Sequence, residues 1–428
     1  MRQIIGRFSR DTKGSIAVIT ALAAIPMVFL VGMGIDYGYA VDRQTRLNGY
    51  ADAAALAAVT PSVMVQSAAI AKTAATNMFN GQAENLSNVS YDPSKLAVSI
   101  QTVNGQRVAS VTYQANYPTF FAKVLGMQTL ALGGTSSATA GLPPNINFYL
   151  LLDDSPSMAI AATTAGIATM NSHTTSQGQC AFACHETHPA TDNLGNPGGE
   201  DNYALARNLG VTLRMDLVQQ AASSLMTTAQ STETTNGASY GMAIYSFDQA
   251  LNTIQALTTN LTTAKTAAGT ISVLPVYANN YITSTNNNND TDTNYDAAMT
   301  GVNKIMPNPG SGTGLAGDTP QEVLFFVTDG VEDENVSGQR QQSVMDPGWC
   351  TTIKNRGIRI AVVYTIYYPI TINSWYNTYI APIQSNIGPS LQSCASPGLY
   401  YAVDVGGDIS AALNSLFQYA VQSAYLSK

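Results

Sequence analysis

Oxygen-bearing side chains gather at three places in this 428-residue sequence. Asp153-Asp154-Ser155-Pro156-Ser157 follows one apolar run, Thr328-Asp329-Gly330 closes another, and Thr293 lies just ahead of a helix-like stretch opening at Tyr295. Carboxylate and hydroxyl oxygens are the donors of hard divalent cations; Mg²⁺ takes about six of them and keeps several as water. A DxSxS pattern alone is weak, because residues this common recur by chance, and the weight lies in where the segments fall. Thr291 competes with Thr293, which is preferred because Thr-Asn-Tyr-Asp-Ala-Ala-Met leads straight into the helix.

Nucleophile and nucleotide chemistry fit less well. Gly237-Ala238-Ser239-Tyr240-Gly241 spells GxSxG, but a nucleophile elbow runs strand, turn, helix, whereas this segment follows a helix and opens a strand. The hydrolase order also needs a His after the Ser, and none occurs beyond His188. The segment reads instead as a helix-stop glycine and a strand start. The GxGxxG of Gly312, Gly314 and Gly317 precedes a strand instead of following one, and no P-loop occurs. The chain is therefore read as non-enzymatic.

Dispersed oxygen donors need elements that converge. NFYLLLD (147–153), YGMAIYSF (240–247), EVLFFVTD (322–329), IRIAVVYTI (358–366) and the shorter LYYAVD (399–404) read as buried strands. Helix-like stretches from Met215, Tyr295, Cys350 and Ile409 alternate with them. This predicts an α/β fold, a doubly wound and mostly parallel sheet covered on both faces, with ligands beyond the strand C-termini at the switch point. The acidic run Glu332-Asp333-Glu334 reads first as a solvated loop, with a second cation contact as the alternative, and the aromatic text TIYYPITINSWYNTYI (365–380) as loop packing, with a binding surface as the alternative.

GLPPN (141–145) is a Pro/Gly linker, and the text before it is of another kind. Residues 14–35 carry no charge over 22 positions, enough helix to span the hydrocarbon core of a bilayer. Pro26, Gly32 and Gly34 are tolerable there. Arg2, Arg7, Arg10 and Lys13 before the run, with Asp36 and Asp42 after it, place residues 1–13 in the cytoplasm and the remainder outside. A cleaved signal peptide, with a weak site at Ala40, is the alternative, although the run is longer than a usual signal core. LNGYADAAALAAV (47–59) and SAAIAKTAATNMF (67–79) have high helix propensity. LAVSIQTV (96–103) and RVASVTYQANY (107–117) flank Asn104-Gly105 as a hairpin, and QTLALGG from Gln128 adds a strand. Residues 36–140 thus form a small, pilin-like α+β module.

Hydrophobic residues make up 45% of the chain, which excludes a disordered protein, while charged residues at 11% fall well short of an average soluble domain. Such a neutral-polar surface fits an exported protein. From residue 141 onward 21 acidic side chains face 9 basic ones, a balance that disfavours nucleic acid and favours cations. All three histidines lie with Cys180 and Cys184 in an insertion of about 162–208. Cys180-Ala-Phe-Ala-Cys184-His185 with His188 has the makings of a zinc site, or of a haem attachment with one residue too many. In an exported chain with four cysteines two disulfides are the commoner outcome, Cys180–Cys184 and, by elimination, Cys350–Cys394.

Two resemblances extend this reading. The text from Gly14 to Ala58, with its Gly before the apolar run, the Asp just past it and ADAAALAA, resembles the N-terminal module of TadE/TadG-like proteins of the tight-adherence (Flp) pilus system. Type IV prepilins carry Glu five residues after the cleavage Gly, where this chain has Ile19, so the resemblance favours the membrane-retained TadG-like branch over a pilin subunit. DDSPSM, the pre-helix Thr and VTDG, in that order and placement, resemble a von Willebrand factor A (Rossmann-like) domain with a complete metal-ion-dependent adhesion site. Pro156 departs from the Gly of many relatives, yet Pro is tolerated where a helix starts.

The second resemblance implies that Asp153, Ser155, Ser157, Thr293 and Asp329 hold a divalent cation, Mg²⁺ first, with Mn²⁺ and Ca²⁺ as further candidates. It implies hydroxyls bound directly, both aspartates acting largely through water, and a cation left to take a partner's acidic side chain. Together the resemblances imply a domain plan: cytoplasmic 1–13, transmembrane helix 14–35, module 36–140, linker 141–145 and A domain 146–428. The expected function is a single-pass bacterial inner-membrane protein with a periplasmic bulk. It would act in Flp pilus assembly or adhesion and meet pilus assembly, secretion or surface proteins. A signal-cleaved secreted adhesin of the same type, and a zinc or thiol enzyme on the His/Cys insertion, are the alternatives.

Overall fold

The computed structural model describes residues 15–103, 105–188, 199–279, 281, 290, 293–314 and 317–424. The expected cytoplasmic segment 1–13 and Thr291 lie outside the described residues. The chain divides into two compact units, Met1–Leu142 and Pro143–Lys428.

In the first unit, helix α1 (Ser15–Ala57) is continuous over 43 residues. Its first half is apolar and exposed at Leu22, Ile25, Val28 and Val31, and it is long and apolar enough to cross a membrane. Its second half buries Leu47, Ala51, Ala54 and Ala55, where small side chains let helix α2 (Ala68–Ala83) approach closely. Strand β2 (Gln106–Pro118) pairs antiparallel with β1 (Ala97–Val103), β3 (Thr129–Gly141) and the short Ser90–Tyr91 segment. Val103 stands opposite Gln106 in the register of β1 and β2, and Gly105 has φ 71°. Phe79 of α2 stacks on Tyr113 of β2 at 5.4 Å in the middle of this core.

The second unit is built on β4 (Ile146–Asp153), β5 (Tyr240–Phe247), β6 (Leu251–Thr258), β7 (Gln321–Thr328), β10 (Arg359–Thr365) and β11 (Tyr400–Val403). They form one sheet in the order β11-β10-β7-β4-β5-β6. All neighbours are parallel except β5 and β6. β4 and β5 are buried at every position, which is why their text is a continuous apolar run without alternation. The antiparallel edge strand β6 is half exposed and has no such run, so the sequence reading missed it.

Helices cover the sheet. α5 (Arg214–Asn236) ends at Gly237 in the left-handed region (φ 73°), the helix stop read from the GxSxG text. It packs beside α6 (Leu261–Ala268) and α10 (Ile409–Ser423), while α7 (Tyr295–Ile305) packs beside α8 (Gly348–Asn355). α9 (Gln384–Cys394) packs against β10, and a disulfide joins its last residue to Cys350 of α8. The insertion carries α3 (Thr164–His173) and α4 (Asn202–Asn208), and bridge pairing ties Ala161 to Leu213 across its base.

The acidic run expected to be a solvated loop is a strand instead. β8 (Val331–Val336) and β9 (Gln339–Val344) form an antiparallel ribbon closed by Ser337-Gly338, both with positive φ. Pairing across the ribbon carries Arg340 back to Asp333, whose two carboxylate oxygens accept from its Nε at 2.9 and 3.0 Å.

Candidate functional site

Between β4 and β7 the sheet reverses its winding, since β4 leads to β5 on one side and β7 to β10 on the other. The carboxyl ends of these two strands open the crevice where doubly wound sheets bind ligands. Asp153 is the last residue of β4, and Asp329 is the first after β7. Four of the five residues implied by the sequence meet here.

Asp153 is fully buried. Its Oδ1 accepts from Ser155 N (3.1 Å) and Ser155 Oγ (2.5 Å), and its Oδ2 accepts from Thr328 Oγ1 (2.6 Å). Thr328 in turn accepts from Gly330 N (3.0 Å) and meets the Tyr295 hydroxyl (2.7 Å). Ser155 Oγ lies 3.0 Å from Ser157 Oγ, and the Ser157 hydroxyl stabilises the Asp329 carboxylate. Two serine protons thus serve three oxygen–oxygen approaches along Asp153, Ser155, Ser157 and Asp329. With both carboxylates ionised, Arg214 at 3.6 Å from Asp329 offsets one of the two negative charges and leaves the other.

The carboxylates register that remaining charge. Burial, then the charge of Asp329, holds Asp153 well above the usual carboxylate range, and burial raises Asp329 against the opposing pull of Arg214. Asp329 Oδ2 is buried and accepts no hydrogen bond, and Arg214 Nη1 stands 3.6 Å from it. An orphaned buried carboxylate oxygen beside two hydroxyls and a second carboxylate is a donor set that fits a hard divalent cation. Such a cation would supply a Lewis-acid contact for an oxygen ligand.

The fifth, Thr293, is buried in the loop before α7, where its backbone pairs both ways with Asp333 of β8 at 3.1 Å. It shares with Ser157 the lining of a cavity of about 260 Å³, which Phe182, Asp333, Arg340 and Trp375 also border. Arg340 bridges Asp290 and Asp333 and lies over the Trp375 ring at 5.2 Å.

Cys180 and Cys184 lie in the same cavity wall as free cysteines, where the sequence led to the expectation of a Cys180–Cys184 disulfide. The two sulfurs hydrogen-bond to each other, and they are further engaged by Phe182 O and Asn279 Oδ1. The strand-like bridge of Phe182 with Ile160 fixes the backbone between them. His185 bonds Asp201 through Nδ1 at 2.9 Å and stacks on Tyr203, and His188 stacks on Tyr277. Among the described residues no group of three His, Cys, Asp or Glu is placed to hold a metal. Cys350 and Cys394 are bridged, S–S 2.00 Å.

Sequence reasoning missed Arg214, and it named Thr328 without giving it a role. The signal for Arg214 was a cation as the first residue of a helix, a place where a helix favours an acid such as its own Asp216.

Residues 14–69 match a family model described as putative Flp pilus-assembly TadE/G-like. No curated protein matches the chain. Solved structures similar to it include the conserved hypothetical protein BatB from Bacteroides thetaiotaomicron, 12% identical over 65% of this chain and 100% of that one, at TM-score 0.34. The von Willebrand factor domain of the type V pilus tip protein Mfa5 from Porphyromonas gingivalis is 8% identical over 67% and 97%, at TM-score 0.36. The pilus adhesin SpaC from Lactobacillus rhamnosus GG is 11% identical over 81% and 37%, at TM-score 0.36.

Proposed function

We propose that this chain is a membrane-anchored interaction protein of Flp pilus assembly that binds partners through a divalent cation. Asp153, Ser155, Ser157, Thr293 and Asp329 hold the cation, Mg²⁺ in the first place, and the partner supplies an acidic side chain. The observation that carries this reading is the buried Asp329 Oδ2, which accepts no hydrogen bond in a cluster with the Ser157 and Ser155 hydroxyls and the Asp153 carboxylate. A bound cation supplies the missing positive charge and leaves part of it for an incoming carboxylate. The TadE/G-like match at residues 14–69 supports the pilus setting. The exposed apolar half of α1 supports anchoring, with α1 crossing the inner membrane and the second unit in the periplasm. No catalytic role is assigned.

Calorimetry of Mg²⁺ and Mn²⁺ binding to the full chain in detergent tests the site. Wild type should bind one cation and Ser155→Ala none, with the fold of both checked by circular dichroism. Equal affinity in the two proteins would place the cation elsewhere. Affinity isolation with and without EDTA should then show partners that depend on the metal.

A further inference from the structure

The loop joining β2 to β3 in the first unit exposes a run of large apolar side chains: Phe120 at 77%, Val124 at 66%, Leu125 at 60% and Met127 at 50%. It is an ordered turn. Residues Ala122–Leu125 form one 3-10 turn that ends on Gly126 (φ 90°), and Thr119 Oγ1 donates to Gln128 O at 3.2 Å across the loop mouth. Exposed apolar groups gathered on one short turn mark a surface with a partner.

The turn is clamped to α1 at a defined level. The backbone N–H groups of Phe120, Phe121 and Ala122 all donate to the Asp36 carboxylate, each at 2.8 Å, and Asp36 is 1% exposed. One helical turn earlier, the Phe121 ring lies against Gly32, where an added Cβ would stand 2.4 Å from it. Gly32 lies inside the uncharged run 14–35 and Asp36 is the first charge after it. The loop therefore sits where α1 leaves its apolar stretch. Around the helix at that level Val31, Ile35, Tyr37 and Tyr39 are exposed too, apolar groups followed by the tyrosines that mark membrane interfaces.

We infer that residues 120–127 are a second membrane contact. Phe120, Val124, Leu125 and Met127 enter the interface of the bilayer that α1 crosses, on the side of the folded unit, with Lys123 at the lipid phosphates. The Asp36 clamp sets their depth. This rests on reading α1 as a membrane span, because the Asp36 and Gly32 contacts put the loop at the end of that span wherever it crosses. Apolar groups at the level where a span ends, with one long basic side chain to reach the phosphates, match the membrane interface. The loop would hold the folded unit at a fixed height and tilt, which one helix crossing the membrane does not.

The test uses the full chain in liposomes with Trp349 and Trp375 changed to Phe, and a single Trp introduced as Leu125→Trp or, for the span, Val28→Trp. The lipids carry bromine at shallow or deep acyl positions. Leu125→Trp should emit blue-shifted and be quenched most by shallow bromines, and Val28→Trp most by deep ones. Adding Asp36→Ala should reduce the Leu125→Trp quenching. Solvent-like, unquenched Leu125→Trp emission beside quenched Val28→Trp overturns the loop contact and leaves the span standing. Blue-shifted but unquenched emission puts the loop against protein and also overturns it. Loss of quenching at both positions overturns the span reading and this inference with it.

Discussion

Arg214 and Asp329 form a buried ion pair in the floor of the candidate metal site, with Nη1 3.6 Å from Oδ2. The guanidinium also donates to Ile366 O at 3.0 Å, which holds it at the end of β10. A tethered cation thus shares the carboxylate that a divalent cation would use. The pair keeps the metal-free site from carrying two uncompensated buried charges, at the expense of affinity for the metal.

Replacing Arg214 with Met should separate these effects. Removing one partner of a buried pair destabilises by about 3–5 kcal/mol. Mg²⁺ should bind more tightly to Arg214→Met, because Asp329 no longer divides its charge. Thermal melting of the full chain with and without Mg²⁺ measures both. A variant that gains no more from Mg²⁺ than wild type would contradict the shared-carboxylate account.

Thr293 should contribute through its hydroxyl alone, since its contacts to Asp333 are backbone ones. Thr293→Ala is expected to weaken Mg²⁺ binding roughly tenfold, about 1.4 kcal/mol, with the melting temperature of the metal-free protein unchanged, and Thr293→Ser to restore it. Unaltered affinity in the alanine variant would remove Thr293 from the ligand set.

Glu322 provides a pH dependence remote from the site. Its carboxyl is 1% exposed, accepts from Asn147 Nδ2 at 3.0 Å, and is pushed up to about 7 by burial. Between the ordinary value of 4.5 and about 7 the native state holds a proton that the unfolded chain has released. Stability contributed by Glu322 is therefore present below that window and lost as pH rises through it. Glu322→Gln, which cannot ionise, should gain about 1–3 kcal/mol over wild type above the window and nothing below it. Denaturant melts at both ends check this; a constant difference would contradict it.

The cysteines should divide two and two. Maleimide applied under denaturing, non-reducing conditions is expected to label Cys180 and Cys184 but not Cys350 or Cys394. Changing both Cys350 and Cys394 to Ser should cost about 3–4 kcal/mol on the chain-entropy account of a bridge closing a loop of this length. Four labelled cysteines, or none, would be inconsistent with the observed pairing.

A reporter fused after Lys428 should be active only outside the cytoplasm, because Arg2, Arg7, Arg10 and Lys13 precede the uncharged run. Cytoplasmic activity would reverse the proposed orientation.

The sequence by itself determined whatever depends on short-range pattern. Continuous apolar runs mark β4, β5, β7 and β10 because a strand buried on both faces admits no polar alternation. Gly105 of the hairpin and the Gly237 helix stop take backbone conformations available to few residues. Asp153 and Asp329 were legible as a pair because both stand at strand ends, and a doubly wound sheet brings such ends together. Only the tertiary structure decided which charges find each other. Arg340 is held on Asp333 by a ribbon that reads as a solvated loop, and Arg214 reaches Asp329 from a helix 115 positions away in sequence. Asp36 clamps a turn 84 to 86 residues downstream, and Cys180 and Cys184 stand as free cysteines where the sequence led to the expectation of a bridge. Each outcome depends on burial, which sets the cost of leaving a charge or a polar group unpaired, and burial belongs to the packed chain and not to any segment of it.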